Sequence, residues 1–215
     1  MLSLLEIVYR KFLNKNFVTS ILLLSLFSLL LCITSGCSIF SAQSERKVNY
    51  FDIGFPETSS STAINKPLVI GDFISITPYF ARMAFRTSET YLEFDDYNRW
   101  SSNPAQMLQR YFILALDNKG IDEVDKKNDF LELNATILSL EADTENKIVT
   151  LILRIEVLSG NSEAIEYSEI IRIEEPLKEI TANQFAISLK VAVDKAVDKT
   201  KNILSKIVIK SGNVK

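Results

Sequence analysis

The stretch that decides the fold is IVTLILRIEVL, residues 148–158. Its apolar side chains recur at every second position, at Val149, Leu151, Leu153, Ile155 and Val157. Successive side chains of a strand point to opposite faces, so these five share one face, opposite Thr150, Arg154 and Glu156. The alternation predicts a β-strand with one buried face.

Similar segments flank this strand on both sides. Residues 130–140 precede it and residues 164–173 follow it, joined through polar turns at 143–147 and 159–163. Joins this short connect antiparallel neighbours, so we expect an antiparallel meander. Earlier in the chain, residues 47–54, 67–76 and 82–86 are strand candidates, and residues 91–97 are expected to form a hairpin with 82–86 around 87–90.

Two segments have the features of helices. Asn103 before Pro104 is an N-cap followed by a proline at the first helical position, and an apolar stripe then runs toward Gly120. Thr181, with Gln184 three residues later, is a capping box that opens a long amphipathic helix. Two helices with about six strands favour a single α/β sandwich over separate domains.

The N-terminal segment resembles an export signal. Arg10, Lys11 and Lys15 precede the uncharged run FVTSILLLSLFSLLLCI at 17–33, and Ser35-Gly36 supply small residues for cleavage. The alternative is an uncleaved transmembrane anchor, because roughly 17 apolar residues approach the length that spans a bilayer. On the export interpretation, residues 1–36 are a signal peptide, 37–46 a tether and 47–215 a single domain.

Cys37 is a candidate site of covalent lipid attachment. Thr34, Ser35, Gly36 and Cys37 resemble a bacterial lipobox, after which diacylglycerol is added to the cysteine sulfur and the signal is removed; Thr34 departs from the usual Leu. Cleavage before Cys37 removes Cys32, so no intramolecular disulfide can form in the mature chain. Several acyl chains would hold the protein on a membrane without spanning it, and residues 38–47 could reach roughly 30 Å if extended.

Composition excludes several classes of function. The sequence contains no histidine, which excludes Ser-His-Asp and Cys-His catalysis and histidine-containing zinc sites. Its six glycines form no phosphate-binding loop. The 27 acidic residues outnumber the 24 basic ones, and loss of residues 1–36 increases the imbalance, so no nucleic-acid partner is expected. We expect no cofactor and no metal.

Three groups of side chains remain as candidate sites. Tyr97, Arg99 and Trp100 concentrate aromatic rings and a cation before the first helix, which indicates either a partner-binding surface or a hydrophobic anchor for the hairpin. Glu93 and Asp95 share a strand face and could act as a catalytic carboxylate pair, although Asp95-Asp96 is more typical of a solvated hairpin. The apolar side of the last helix could line a lipid groove or form the core; it comprises Phe185, Leu189, Val193, Ala196, Thr200 and Ile203.

Residues 68–116 resemble the ABC-type transport auxiliary lipoprotein family, which includes the paraquat-inducible lipoproteins. The matching segments are LVIGDFISI, TPYFA, RMAFR, YLEFDDYNRW and NPAQMLQRYFILAL. The resemblance depends on the order and spacing of Pro78, Tyr79, Arg82, Leu92, Tyr97, Arg99, Trp100, Pro104 and Leu116. Cys37 and the Tyr50-Phe51 strand extend it toward the N-terminus. Ser101-Ser102-Asn103 departs from the family pattern, which has a small residue, an acid and Pro.

The resemblance implies a three-layer α/β/α sandwich with a mixed, largely antiparallel sheet, similar to the N-terminal domain of TolB. It also implies a non-enzymatic, periplasm-facing accessory subunit that works with an ABC permease and ATPase and a mammalian-cell-entry-domain protein in lipid traffic between membranes. A bound lipid and a homo-oligomer are both compatible with it. Ser38 after the lipidated cysteine suggests the outer membrane. The alternatives are a carboxylate-dependent envelope hydrolase and a structural protein held by a transmembrane helix.

Overall fold

A computed structural model of the chain describes residues 19–27, 47–57, 67–78, 80–116, 130–160 and 164–212, with side chains to residue 207. The chain divides into two compact units, Met1–Arg46 and Lys47–Lys215. In the first unit, residues 19–27 form helix α1. Among the described residues, no helix has the length and apolar character needed to span a membrane. Thr34, Ser35, Gly36 and Cys37 lie outside the described residues, as does Cys32.

The described part of the second unit is built on a sheet of seven strands. In chain order these are β1 (Asn49–Phe51), β2 (Leu68–Ser75), β3 (Arg82–Arg86), β4 (Leu92–Trp100), β5 (Leu131–Asp143), β6 (Ile148–Ser159) and β7 (Ile165–Pro176). Their spatial order is β1-β4-β3-β5-β6-β7, and β2 pairs with β5. The predicted meander is confirmed, because β5, β6 and β7 form long antiparallel ladders.

Strands β2 and β3 share one edge of β5. Leu68 begins β2 opposite Leu131, and β3 reaches the far end of β5, where Phe85 lies opposite Ala142. Both pairings are parallel, whereas β3 and β4 form the predicted antiparallel hairpin. The sheet is therefore mixed, with β4 carrying β1 in parallel on its outer edge.

Two helices cover one face of this sheet. Helix α2 (Pro104–Ala115) packs through Phe112 against Phe73 of β2, with ring centroids 5.1 Å apart. Helix α3 (Ala182–Gly212) packs through Phe185 against Trp100 of β4, also at 5.1 Å. Side chains of β5 alternate between buried and partly exposed, so the core lies on the helical side only. The α/β class and the mixed sheet are confirmed. The described residues of the second unit form two layers, the sheet and its helices, and they do not include the third layer that the resemblance implies.

The predicted helix starts are confirmed, with one difference. Asn103 Oδ1 accepts a hydrogen bond from the Ala105 N–H at 2.9 Å, as an N-cap does. Thr181 Oγ1 accepts from the Gln184 N–H at 3.2 Å, but the Gln184 side chain donates to Ser188 Oγ. Only half of the expected capping box forms, because the Thr181 N–H donates to the Glu179 carbonyl at 2.9 Å and not to the Gln184 side chain.

Candidate functional site

The second unit contains an open groove of about 770 Å³. It lies between the β3–β4 hairpin, the turn after β5 and the first turn of α3. Apolar side chains from four elements or their flanks line it, namely Phe51, Phe85, Phe94, Tyr97 and Ile180. The polar lining comprises Thr87, Glu93, Asp95, Asp96, Asn98, Thr144, Thr181 and Asn183, and Ala182 completes it. We call this feature the hairpin groove.

One wall of the hairpin groove is a bulge in β4. Arg82 pairs with Arg99 and Ala84 pairs with Phe94. Between these two pairs, β3 has one residue and β4 has four. The additional residues loop out of the ladder at Asp95–Asn98. Bulges of this kind turn side chains away from the regular alternation and are over-represented at functional sites. Here the bulge brings Asp96 and Tyr97, neighbours in sequence, into the same groove.

Asp95 holds the bulge in shape. Its carboxylate accepts hydrogen bonds from the backbone N–H groups of Tyr97 and Asn98 at 2.8 and 2.9 Å, and from Asn98 Nδ2 at 2.7 Å. Burial by itself would raise the pKa of Asp95, but these hydrogen bonds together outweigh burial and lower the pKa below its ordinary value of 3.8. Asp95 is therefore an ionised structural residue of the groove wall.

Acid should weaken this bulge. The pKa of Asp95 is lower in the folded chain than in the unfolded chain, so its carboxylate stabilises the fold above about pH 4 and stops doing so as the pH falls through the folded value. We expect Asp95→Ala to lower the free energy of unfolding by about 1 kcal/mol at neutral pH, and by progressively less below about pH 4. Urea unfolding of both chains across this range measures the difference.

The matched control for this measurement is Asp96→Ala. The Asp96 side chain is 73% exposed and reaches Arg82 only at 3.9 Å, so its removal should change stability by less than about 0.5 kcal/mol at any pH. An Asp95→Ala effect that stayed constant from neutral pH to about pH 3 would contradict the assigned role of the carboxylate.

The hairpin is fixed to the sheet at the far end of the groove. Arg86, the last residue of β3, forms a two-pronged ion pair with Glu141 of β5, at 2.7 Å from Nε to Oε1 and 2.8 Å from Nη2 to Oε2. The Thr144 N–H and hydroxyl both donate to the Arg86 carbonyl, at 2.9 and 3.1 Å. These contacts place Thr87 and Thr144 next to each other in the groove lining.

The structure separates the three residues that were predicted to form a partner-binding surface. Trp100 is fully buried against Phe185, so the binding-surface hypothesis is wrong for Trp100 and the hydrophobic-anchor alternative accounts for it. Tyr97 is 42% exposed and lines the hairpin groove. Arg99 is partly buried and donates from Nε to the Asp96 carbonyl at 3.4 Å, outside the groove lining. Regular alternation would put Tyr97 and Arg99 on one face of β4 and Trp100 on the other, and the bulge at 95–98 also separates Tyr97, which lines the groove, from Arg99, which does not.

The carboxylates of the hydrolase hypothesis both line the hairpin groove. Glu93 pairs with Phe85 across the hairpin, and Asp95 forms the bulge. A general acid of that kind requires a raised pKa, whereas the pKa of Asp95 is lowered. In the part of the chain that the structure describes, no three Cys, Asp or Glu side chains are arranged to hold a metal ion.

The apolar side of α3 belongs to the core. Phe185, Leu189, Val193 and Ala196 are fully buried, which decides between the lipid-groove and core alternatives in favour of the core. The groove instead uses Ile180, Thr181 and Asn183, just before and within the first turn of α3. Apart from the helix cap at Thr181, these residues carry no motif, and their approach to Phe51 depends on contacts between segments about 130 residues apart in sequence.

Known proteins resemble this chain in fold alone. No family model matches it, and no curated protein matches it at a significant level. The crystal structure of protein XCC0632 from Xanthomonas campestris, of family DUF330, superimposes with a TM-score of 0.58 over 77% of this chain and 97% of that one, at 11% identity. A second crystal structure, of an uncharacterized protein, gives a TM-score of 0.56 over 75% and 99%, at 14% identity. The chain shares its fold with a DUF330 protein.

Proposed function

We propose that this protein is a lipid-anchored accessory subunit of an envelope transport system. In this proposal Cys37 carries the lipid, and the unit from Lys47 onward faces the periplasm. It works with an ABC permease and ATPase and with a mammalian-cell-entry-domain protein in the movement of lipids between the inner and outer membranes. It has no catalytic step of its own.

The observation that carries the proposal is the hairpin groove, about 770 Å³ with an aromatic and aliphatic floor. Clefts of this size that combine an apolar floor with convergent polar side chains are typical of binding sites. A histidine-free sequence, together with an Asp95 whose carboxylate is committed to its own backbone, favours binding over catalysis. The fold shared with the DUF330 structure is compatible with the family resemblance of residues 68–116.

The first strand of the folded unit follows the proposed tether in sequence and lies beside the groove wall. Residues 38–47 could span roughly 30 Å between Cys37 and β1 if extended. Asn49 of β1 donates from Nδ2 to Asn98 Oδ1 in the bulge at 3.1 Å, so the first strand of the folded unit contacts the groove wall. Ser38 after the cysteine favours the outer membrane for the anchor.

The anchor is tested by labelling cells with a radioactive fatty acid. The native chain and Cys32→Ala should incorporate the label, because Cys32 is removed with the signal peptide. Cys37→Ala should incorporate none. Mass spectrometry of the mature chain should find an acylated cysteine at its first position. Label that persists in Cys37→Ala, or a mature chain that begins at Met1, would refute the lipid anchor.

The partner is tested by crosslinking in the bacterium that makes this protein. A tagged native chain should copurify with a mammalian-cell-entry-domain protein after crosslinking, and phospholipid should move more slowly between the two membranes in cells that lack the chain. Unchanged lipid movement, together with the absence of that partner from the crosslinked material, would refute the transport role and leave the anchor result intact.

A further inference from the structure

The hairpin groove has a rim of one charge sign. Glu93, Asp95 and Asp96 all line it, and no lysine or arginine is among its described lining residues. The Asp95 carboxylate is hydrogen-bonded within the bulge, whereas Glu93 is exposed and its carboxylate makes no hydrogen bond or ion pair among the described residues. Asp96 has only the distant contact with Arg82, at 3.9 Å. Two carboxylates therefore remain available to a cationic ligand.

The floor beneath these carboxylates is apolar and accessible. Tyr97 and Ile180 are 42% and 50% exposed, and Phe51, Phe85 and Phe94 are partly buried beside them. Aromatic residues are enriched where proteins bind partners, because they combine a large apolar area with few rotatable bonds. An apolar floor under an acidic rim is complementary to a ligand that is itself apolar and cationic.

Charge distinguishes a peptide from a phospholipid as that ligand. A phospholipid carries a phosphate, which the three rim carboxylates would repel; Arg82, 4.7 Å from the centroid of the Phe94 ring and 3.9 Å from Asp96, offsets only part of their charge. A peptide with Lys or Arg beside an aromatic or aliphatic residue satisfies both rim and floor. The first turn of α3 also borders the groove at Ala182 and Asn183, where helical N–H groups lack intrahelical acceptors and can donate to peptide carbonyls.

We infer that the hairpin groove binds a basic peptide segment of a protein partner, with an apolar side chain on the floor and Lys or Arg at Glu93 and Asp96. This inference rests on the proposed function and narrows it, because it makes the groove a docking site rather than part of a lipid conduit. The favourable charge pairing also increases the rate of encounter with the partner and decreases as salt is added.

The test uses the full chain in nanodiscs of zwitterionic lipid. A short fluorescent peptide of alternating Lys and Phe should bind, as measured by anisotropy against empty nanodiscs. Peptides of alternating Glu and Phe, or of Lys and Ser, should bind at least about tenfold more weakly, because each lacks one of the two complementary features. Equal binding of the Glu and Phe peptide, or no binding of the Lys and Phe peptide, would overturn the inference.

Variants locate the binding to the groove. Glu93→Gln and Asp96→Asn should each lower the affinity for the Lys and Phe peptide by about threefold, and the double variant should lower it by about tenfold. Ile180→Ser should weaken binding of the Lys and Phe peptide about as much as either single charge variant does. The salt dependence of binding should stay as in the native chain. Glu166→Gln, on exposed β7 at the opposite edge of the sheet, is the control with the same loss of charge and should bind as the native chain does.

Two outcomes separate this inference from the proposed function. Unchanged peptide binding in the double variant, or displacement of the peptide by a lysophospholipid as readily as by unlabelled peptide, would refute a basic peptide site. The fatty-acid label and the crosslinked partner could still be found in that case. Loss of the label in the native chain would refute the anchor while leaving the selectivity of the groove as measured.

Discussion

Replacing Trp100 by alanine should lower the free energy of unfolding by about 3–5 kcal/mol. Trp100 is fully buried, and its ring meets Phe185 of α3 edge to face, at 5.1 Å and an interplanar angle of 75°. Phe185 also meets Phe85 of β3 at 5.5 Å. Removing the indole would open a cavity where β4, β3 and α3 converge, and a close-packed interior relaxes only partly around such a void.

The measurement requires a signal other than tryptophan fluorescence, because Trp100 is the only tryptophan in the sequence. Urea unfolding of the full chain in mild detergent, followed by circular dichroism, gives the difference directly. Tyr97→Ala, three residues earlier in β4 but 42% exposed, should cost less than about 1 kcal/mol. Similar effects for the two substitutions would contradict the assignment of Trp100 to the core and Tyr97 to the groove.

A double-mutant cycle tests the same contact more specifically. Trp100→Ala and Phe185→Ala should together cost less than the sum of the single changes, by about 0.5–1.5 kcal/mol, because each removes the partner of the other. In Phe185→Ala the tryptophan remains, so its fluorescence can follow unfolding independently. Additive effects would show that the two rings do not stabilise each other.

The elements that the sequence predicted well are those specified by local patterns. The alternation at 148–158 places Val149, Leu151, Leu153, Ile155 and Val157 on the core face, and all five are fully buried. The caps at Asn103 and Thr181 also follow from neighbouring residues alone. In each case the deciding interaction lies within one strand or one helical turn, so a single sequence contains the information.

The hairpin groove could not be predicted in the same way, because it depends on contacts between distant segments. Phe51, Phe94 and Ile180 meet only because β1 lies beside β4 and α3 returns across the sheet. The bulge at 95–98 adds a second difficulty. A pattern of period two assigns alternate faces to Asp95, Asp96 and Tyr97, whereas the additional residues of β4 bring all three to the groove.

The partly buried ion pair that holds the hairpin leads to the second large prediction. Arg86 and Glu141 join β3 to β5 through two parallel hydrogen bonds, and their side chains are 28% and 12% exposed. Removing one partner leaves the other charge partly desolvated, which costs more than the loss of a pair in water. We expect Glu141→Ala to lower the free energy of unfolding by about 2–3 kcal/mol, and a similar loss for Arg86→Ala.

A second pair of arginine and glutamate, exposed to water, serves as the control. Arg172 Nε donates to Glu174 at 2.8 Å, but these side chains are 63% and 43% exposed. Double-mutant cycles measured by urea unfolding should give a coupling of about 2 kcal/mol for Arg86 and Glu141, against about 0.5 kcal/mol or less for Arg172 and Glu174. Added salt should reduce the second coupling more than the first, because water and ions screen exposed pairs more strongly. Equal couplings would mean that burial does not strengthen the Arg86 pair.

Because Arg86 precedes Thr87 of the groove lining, Glu141→Ala should also weaken ligand binding in the hairpin groove without removing any lining side chain.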